Sequence, residues 1–147
     1  MTRISDPHFA ERVRASFALQ NAMALIRATL PLVDHGRTEI HVPHWAGIEQ
    51  QHGFVHGGVV GMIADSAAGY AAMTMVPASA SVLTVEYKMN LMAPADGDQL
   101  IARGKVVRAG RTLIVTQAEV FAVKDTQETQ CALMQQTIMV MHGKREK

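Results

Sequence analysis

The sequence predicts an α+β domain in which an antiparallel sheet wraps around one central buried helix, with a helical extension at its N-terminus. Three observations carry this. The stretch from Val59 to Met73 is apolar or small around its whole circumference, so a helix there needs cover on every side. After Ser81 the helical period gives way to runs of strand-like alternation joined by short turns, the pattern of sequential antiparallel strands. Finally, 147 residues with 48% hydrophobic and 18% charged side chains suit one domain with a sizeable core and exclude a disordered chain. The expectation is a single domain over residues 1–147, with residues 1–30 as the extension.

The elements follow in order. Residues from about Pro7 to Ala28 read as helix, with Asp6 as N-cap, Pro7 in the first turn and apolar Phe9, Val13, Phe17 and Leu25 near helical spacing. Leu30-Pro31 ends it. A strand follows from Val33 to Val42, bulged or kinked over Asp34–Arg37. Pro43 to Val55, with Gly47 and Gly53, reads as a loop leading into the central helix. In the strand from Ser81 to Met92, Leu83, Val85, Tyr87, Met89 and Leu91 share one face, and Thr84, Glu86, Lys88 and Asn90 the other. Pro94–Gly97 turns the chain. Strands from Gln99 to Arg108 and from Thr112 to Val123 flank a tight hairpin at Ala109-Gly110-Arg111. Lys124–Thr129 is a polar loop, Gln130–Met141 the last strand, and 142–147 a charged, fraying tail. Two copies joining edge to edge would remove exposed sheet edges.

Composition narrows the function. Lys plus Arg is 14 and Asp plus Glu 13, a formal charge of +1, which argues against a nucleic-acid binder needing a basic excess. One cysteine, Cys131, rules out an internal disulfide framework and a Cys-rich zinc module and suits the reducing cytoplasm. Its place in an alternating strand makes it a buried filler rather than a nucleophile. The first residues lack a signal-like apolar segment, and the apolar runs are too short or too interrupted to span a membrane. His52 and His56 stand four apart, yet Gly53 breaks any helix between them, so no metal site is expected.

Between His56 and Glu86 the only formally charged side chain is Asp65, in the middle of the apolar helix. An unpaired carboxylate is costly to bury. Either an arginine of the first helix or of a partner subunit pairs with it, or it is a catalytic base or nucleophile. Just upstream, His56-Gly57-Gly58 opens the same helix, where unpaired backbone N–H groups are able to hold an oxyanion. Gly57 and Asp65 are eight residues apart, about 12 Å along a helix. One small carbonyl can hardly touch both within one chain, so if both act on one substrate they come from different subunits.

These residues carry a family resemblance. Gly53-Phe54-Val55-His56-Gly57-Gly58, followed by Asp65 in a small-residue helix, resembles the hot-dog fold acyl-CoA thioesterases, above all the phenylacetate-degradation (PaaI-like) branch. Asn90-Leu91-Met92-Ala93-Pro94-Ala95 and Arg108-Ala109-Gly110-Arg111-Thr112 are similar to supporting motifs, and the resemblance covers about residues 31 to 141. It implies cofactor-free thioester hydrolysis in a site shared across a homodimer, often within a homotetramer. Asp65 matches the acid that activates water or attacks directly. Gly57, with Gly58 beside it, matches the backbone donor that polarises the carbonyl, and His56 fixes the loop next to the site. Thr84 falls where the family often has a hydroxyl near the acid. Gln50 stands where the family commonly carries Asn, keeping the amide one methylene further out.

Coenzyme A carries phosphates, so exposed basic residues matter. Arg108 and Arg111 flank one hairpin turn and lead the candidates, with Lys88, Arg103 and Lys105 behind them. The acyl group is not legible: walls rich in Ala and Met (Met62, Met73, Met75, Met89) admit an aryl ring or a medium aliphatic chain. Two rivals belong to other classes. One is a hot-dog hydratase or dehydratase, which usually needs a His paired with an acid; the other is a non-catalytic acyl-CoA binding module, which has no need of Asp65.

Overall fold

The computed structural model describes residues 6–144. Six strands form one antiparallel sheet around a long helix, with two short helices at the N-terminal end. The elements are α1 (Phe9–Leu19), α2 (Asn21–Leu25), β1 (Thr29–Asp34), β2 (Arg37–Pro43), α3 (Gly57–Met73), β3 (Ala80–Leu91), β4 (Gln99–Ala109), β5 (Leu113–Lys124) and β6 (Gln127–His142). The sheet order is β1-β2-β4-β5-β6-β3, so β1 and β3 are its edges. A short 3-10 turn, Ala46–Ile48, lies in the loop before α3.

The expected N-terminal helix is two helices. Gln20 has an extended backbone (φ −81°, ψ 93°) and separates α1 from α2. The N-cap of α1 is His8 rather than the expected Asp6, and Pro7 lies before the helix instead of in its first turn; Asp6 Oδ1 accepts from the His8 N–H at 2.9 Å. Its other oxygen meets Arg12 Nε at 2.8 Å. The Arg12 guanidinium then donates to the carbonyls of Met73, Val76 and Ala80 at 2.8–3.2 Å. One arginine thereby ties α1 to the last residue of α3, the loop after it and the start of β3. α2 ends in a Schellman motif with Arg27 at φ 61°, Ala28 N–H bonding Met23 O and Arg27 N–H bonding Ala24 O.

Three boundaries differ from the sequence reading, each at a turn. The single strand expected over 33–42 is a hairpin: Asp34 pairs with Arg37, and Gly36 (φ +79°) makes the tight turn. The loop expected over 124–129 is a two-residue turn at Asp125-Thr126, both at positive φ, so β6 begins at Gln127. At its other end β6 runs through His142, paired with Ala80. Its ring Nε2 lies 2.8 Å from the Arg111 carbonyl; of the predicted tail, 145–147 lie outside the described residues.

β3 departs most from simple alternation. Thr84 pairs with Ile138 but Glu86 with Thr137, leaving Val85 as an extra bulged residue. A bulge reverses which face the following side chains take. Val82 and Thr84 face α3 before it, and Tyr87, Met89 and Leu91 face α3 after it. The sequence reading had put Thr84 opposite Tyr87, Met89 and Leu91; the bulge brings them together. Similar bulges set out Val107 in β4 and Cys131 in β6.

The core lies between α3 and the concave face of the sheet. Ala64, Ala67, Ala68 and Ala71 are fully buried there with Ile40, Val42, Leu100 and Val120. Small residues let the helix approach: a Cβ on Gly104 of β4 would lie 2.3 Å from the Ala67 backbone. Cover is not complete, however. Gly58, Val59, Met62, Asp65, Ser66 and Gly69 form a half-buried or exposed stripe at three- and four-residue spacing. The expectation of a helix buried on every side gives way to a helix with one open seam, and Asp65 is on it.

Candidate active site

Asp65 is half-buried on the open seam of α3, and its Oδ1 accepts from the Thr84 hydroxyl at 2.7 Å. No arginine or lysine lies within ion-pair distance of it among the described residues. The structural alternative, an ion pair with the first helix, is therefore not formed in this chain. Charge-assisted donation from Thr84 fixes one oxygen and leaves the other available for chemistry. The carboxylate opens onto a cleft of about 430 Å³ lined by Ser16, Leu19 and Gln20 from the N-terminal helices, Ser66, Gly69, Tyr70 and Met73 from α3, and Val82, Leu83 and Thr84 from β3.

Ser16, Leu19 and Gln20 were missed from sequence. Their wall is polar: Ser16 Oγ lies 3.2 Å from Tyr70 Oη, and Ser66 Oγ donates to Gln20 Oε1 at 3.3 Å. The break between α1 and α2 is what turns Gln20 toward α3. No glycine or proline marks that break, so no local signal announces it.

His56, Gly57 and Gly58 lie at the other end of α3. His56 is the N-cap, and its ring Nδ1 accepts from the Gly58 N–H at 2.8 Å. That bond fixes the tautomer with hydrogen on Nε2 and occupies the Gly58 donor. Val59 and Val60 donate to the His56 carbonyl. The Gly57 N–H has no partner among the described residues, so of the two glycines Gly57 keeps a free donor. Its Cα sits against Leu91, whose Cδ1 would be 2.9 Å from a Cβ there.

Gln50 is brought to the same end. A tight turn over Gln50–Gly53, with Gly53 at φ +80°, returns the chain, and Gln50 N–H bonds Phe54 O at 2.8 Å. The Gln50 side-chain oxygen accepts from the His52 N–H, which leaves the amide NH₂ as its free donor. Gln50, Phe54, Val55, Gly57, Val60, Leu91, Pro94 and Cys131 line a second cleft of about 410 Å³. Cys131 is 1% exposed, and burial pushes its thiol above the usual range, so it lines this cleft as an inert group. Asp65 and Thr84 thus share one cleft, Gln50 and Gly57 another.

The basic candidates separate cleanly. Arg103 bonds both oxygens of Glu128 at 2.7 Å and Glu39 at 3.0 Å, so its charge is already matched. Lys88 Nζ bonds Asn90 Oδ1 at 2.7 Å on the exposed side of β3. Arg108 and Arg111 are exposed at the β4–β5 hairpin and make no side-chain ion pair or hydrogen bond among the described residues. No helix of the described residues is long and apolar enough to cross a membrane.

A family model described as the thioesterase superfamily matches residues 52–129. A solved thioesterase family protein from Silicibacter pomeroyi is 42% identical, with a TM-score of 0.90 over 92% of this chain and 99% of that one. The solved PaaI protein of the Escherichia coli phenylacetic acid degradation operon is 19% identical, with a TM-score of 0.84 over 98% of this chain and 100% of that one; it shows the shared fold. A curated protein of Saccharolobus solfataricus, provisionally designated an esterase, is 32% identical over 87 residues, 59% of this chain and 61% of that protein. The chain spans about 61–66% of the length of the curated relatives it matches.

Proposed function

The chain belongs to the thioesterase superfamily, and from that premise we propose that it is an acyl-CoA thioesterase whose active site is assembled from two copies of one domain spanning residues 1–147. The observation that carries the shared site is the separation of its halves: Gly57 sits by Leu91 at one end of β3, and Asp65 is bonded to Thr84 near the other. β3 is an edge strand with apolar Leu83, Val85, Tyr87 and Leu91 half exposed, a surface that invites pairing with another strand. Antiparallel pairing of two β3 strands about Tyr87 sets position 84 of one copy beside position 90 of the other, next to its Leu91. The Asp65 of one subunit then faces the Gly57 and Gln50 of its partner, and a dimer has two such sites. A tetramer is a pair of these dimers.

In this reading the Gly57 N–H and the Gln50 amide donate to the thioester oxygen, stabilising the negative charge that develops on it. Asp65 takes a proton from water as the water oxygen bonds the carbonyl carbon. The C–S bond then breaks with its electron pair on sulfur, which accepts the proton and leaves as the CoA thiol. In the alternative route Asp65 itself attacks the carbonyl carbon, the C–S bond breaks to release the CoA thiolate, and water opens the resulting anhydride, freeing the acid, restoring the Asp65 carboxylate and supplying the proton that the thiolate takes up. Thr84 holds the carboxylate, His56 and Gly58 hold the loop, and Arg108 and Arg111 take the CoA phosphates, with Lys88 as a further candidate. No cofactor enters these steps. The acyl group lies in the cleft walled by Ser16, Leu19 and Gln20, wide enough for an aryl ring or a medium chain. A cytoplasmic setting, where CoA esters circulate, belongs to the same reading.

The test is a panel of acyl- and aryl-CoA esters assayed with wild type and Asp65→Asn. Turnover should fall by at least about a hundredfold in a folded Asp65→Asn protein. Near-wild-type turnover would remove Asp65 from the chemistry. Binding without hydrolysis in the wild type would favour an acyl-CoA binding module, and addition of water across a double bond a hydratase. The shared site has its own test. Mixing Asp65→Ala chains with Gly57→Pro chains should restore up to about a quarter of wild-type activity after complete subunit exchange; no recovery despite proven exchange refutes it.

A further inference from the structure

Beneath Asp65 the sheet presents two buried polar side chains in an otherwise apolar layer. Gln136 on β6 is 1% exposed and Thr116 on β5 is fully buried, and the two are cross-strand partners. Their neighbours on the same inner face, Ile114, Ala118, Met134 and Ile138, are all apolar and fully buried. Gln136 Nε2 donates to the main-chain carbonyl of Asp65 at 3.3 Å. Its Oε1, and the Thr116 hydroxyl, find no partner among the described residues. A half-satisfied amide in a close-packed apolar layer costs stability relative to an apolar side chain of the same shape. The one bond that Gln136 makes therefore marks what it contributes.

We propose that Gln136 is a positioning residue for Asp65, pinning the main chain of its helical turn to the sheet while Thr84 holds its carboxylate. The proposal rests on the reading of Asp65 as the catalytic acid. The two anchors come from adjacent strands, β3 and β6, and grip the same residue at different atoms. The need for the second anchor is visible in the fold. Asp65 lies on the open seam of α3, where cover from outside is limited to the Gln20–Ser66 bond and to Thr84 on the carboxylate. Rotation of α3 would swing the carboxylate; the buried Thr38 hydroxyl of β2 holds this stretch of helix at the Ala67 carbonyl, 2.6 Å away, and Gln136 holds it at residue 65 itself. A polar tether to the carbonyl of residue 65 resists that rotation directly, and misplacement by about 1 Å can cost a hundredfold in rate.

The experiment replaces Gln136 by methionine, similar in length and volume but without a donor, and measures melting temperature, kcat and KM on one acyl-CoA ester that the wild type hydrolyses. Asp65→Asn and Thr116→Val are measured alongside. The expected result for Gln136→Met is an unchanged or higher melting temperature with kcat lowered tenfold or more and KM changed by less than about threefold. Thr116→Val removes an unpaired hydroxyl in the same layer without touching Asp65. It should be at least as stable as wild type, with unchanged kcat. A smaller loss of kcat in Gln136→Met overturns the proposal, as does an equal loss in Thr116→Val, which would assign the effect to packing of the layer. A Gln136→Met chain that melts lower or fails to fold also overturns it, since it would make the amide a stabilising group. If Asp65→Asn itself keeps wild-type turnover, the catalytic reading fails first, which separates that failure from a failure of the tether.

Discussion

Asp65 could be found from sequence because charge is conspicuous in an apolar run; its helpers could not, because each is an ordinary polar residue made special by position. Thr84 carries no local signal, and only the resemblance set it near the acid. Gln136 is hidden in a strand where Gln135 beside it is simply exposed. The hydrogen bond from Thr84 is the most direct of these helpers. A bond to an ionised acceptor contributes about 1.5–3 kcal/mol. Thr84→Val, which keeps the shape, is therefore expected to lower kcat roughly ten- to hundredfold with the fold intact, as steady-state kinetics and circular dichroism would show. Unaltered kcat would mean the bond does nothing for the carboxylate. Arg108 and Arg111 make a different prediction. Their joint replacement by alanine should raise KM for CoA esters, leave hydrolysis of a truncated thioester lacking the nucleotide unchanged, and lose its effect as salt screens the exposed charges. Equal loss on both substrates would show that the pair supports the chemistry or the fold instead.

At the scale of elements, type was legible and punctuation was not. The apolar run of α3 and the alternation of β3 to β6 follow from period alone. Two of the breaks come from backbone states that this sequence reaches without glycine, Arg27 at φ 61° and Asp125-Thr126 at 49° and 70°, whereas the β1–β2 turn uses Gly36 at φ +79°. The left-handed region is worst for a β-branched residue. Thr126→Gly should relieve that strain, stabilise the β5–β6 hairpin by up to about 1 kcal/mol and raise the melting temperature by about 2–4 °C; a lower melting temperature would show that Thr126 is not strained. Bulges are quieter still, since Val85 looks like any other strand residue and yet reverses the face of β3 after it. The break at Gln20 carries the functional consequence. With its amide replaced by an apolar group in Gln20→Leu, the cleft wall loses its hydrogen bond to Ser66. The ratio of kcat/KM between hydroxylated and unsubstituted acyl-CoA esters should fall several-fold. An unchanged ratio across the panel would take the N-terminal helices out of acyl selection.

For the whole molecule the decisive surface is the β3 edge. Its apolar exposure makes little sense for an isolated chain, and the two half-sites lie on either side of its midpoint. Val85→Lys puts charge on that edge and like charges near one another if two edges meet. It should shift sedimentation toward the monomer and reduce specific activity in parallel, with both restored at higher protein concentration. A fully active monomer would end the shared-site reading. The proposed need for a partner was legible in the eight-residue spacing of Gly57 and Asp65 along α3, given that both act on one substrate. The face that β3 presents was not legible, because it depends on the bulge at Val85.

The N-terminal helices give the molecule a division of labour. Asp65, Gly57 and Thr84 fall inside the stretch matched by the family model, residues 52–129, while Ser16, Leu19 and Gln20 fall outside it. In the proposed reading, one wall of the acyl cleft and the catalytic Asp65 thus come from separate stretches of chain, packed together through buried Val13, Met23 and Ile26 and tied by the Arg12 guanidinium. Such a layout lets one be retuned while the other is left alone. A library confined to residues 16–20 is the economical way to re-address this protein to a different acyl group, with Asp6 and Arg12 kept as the fastening.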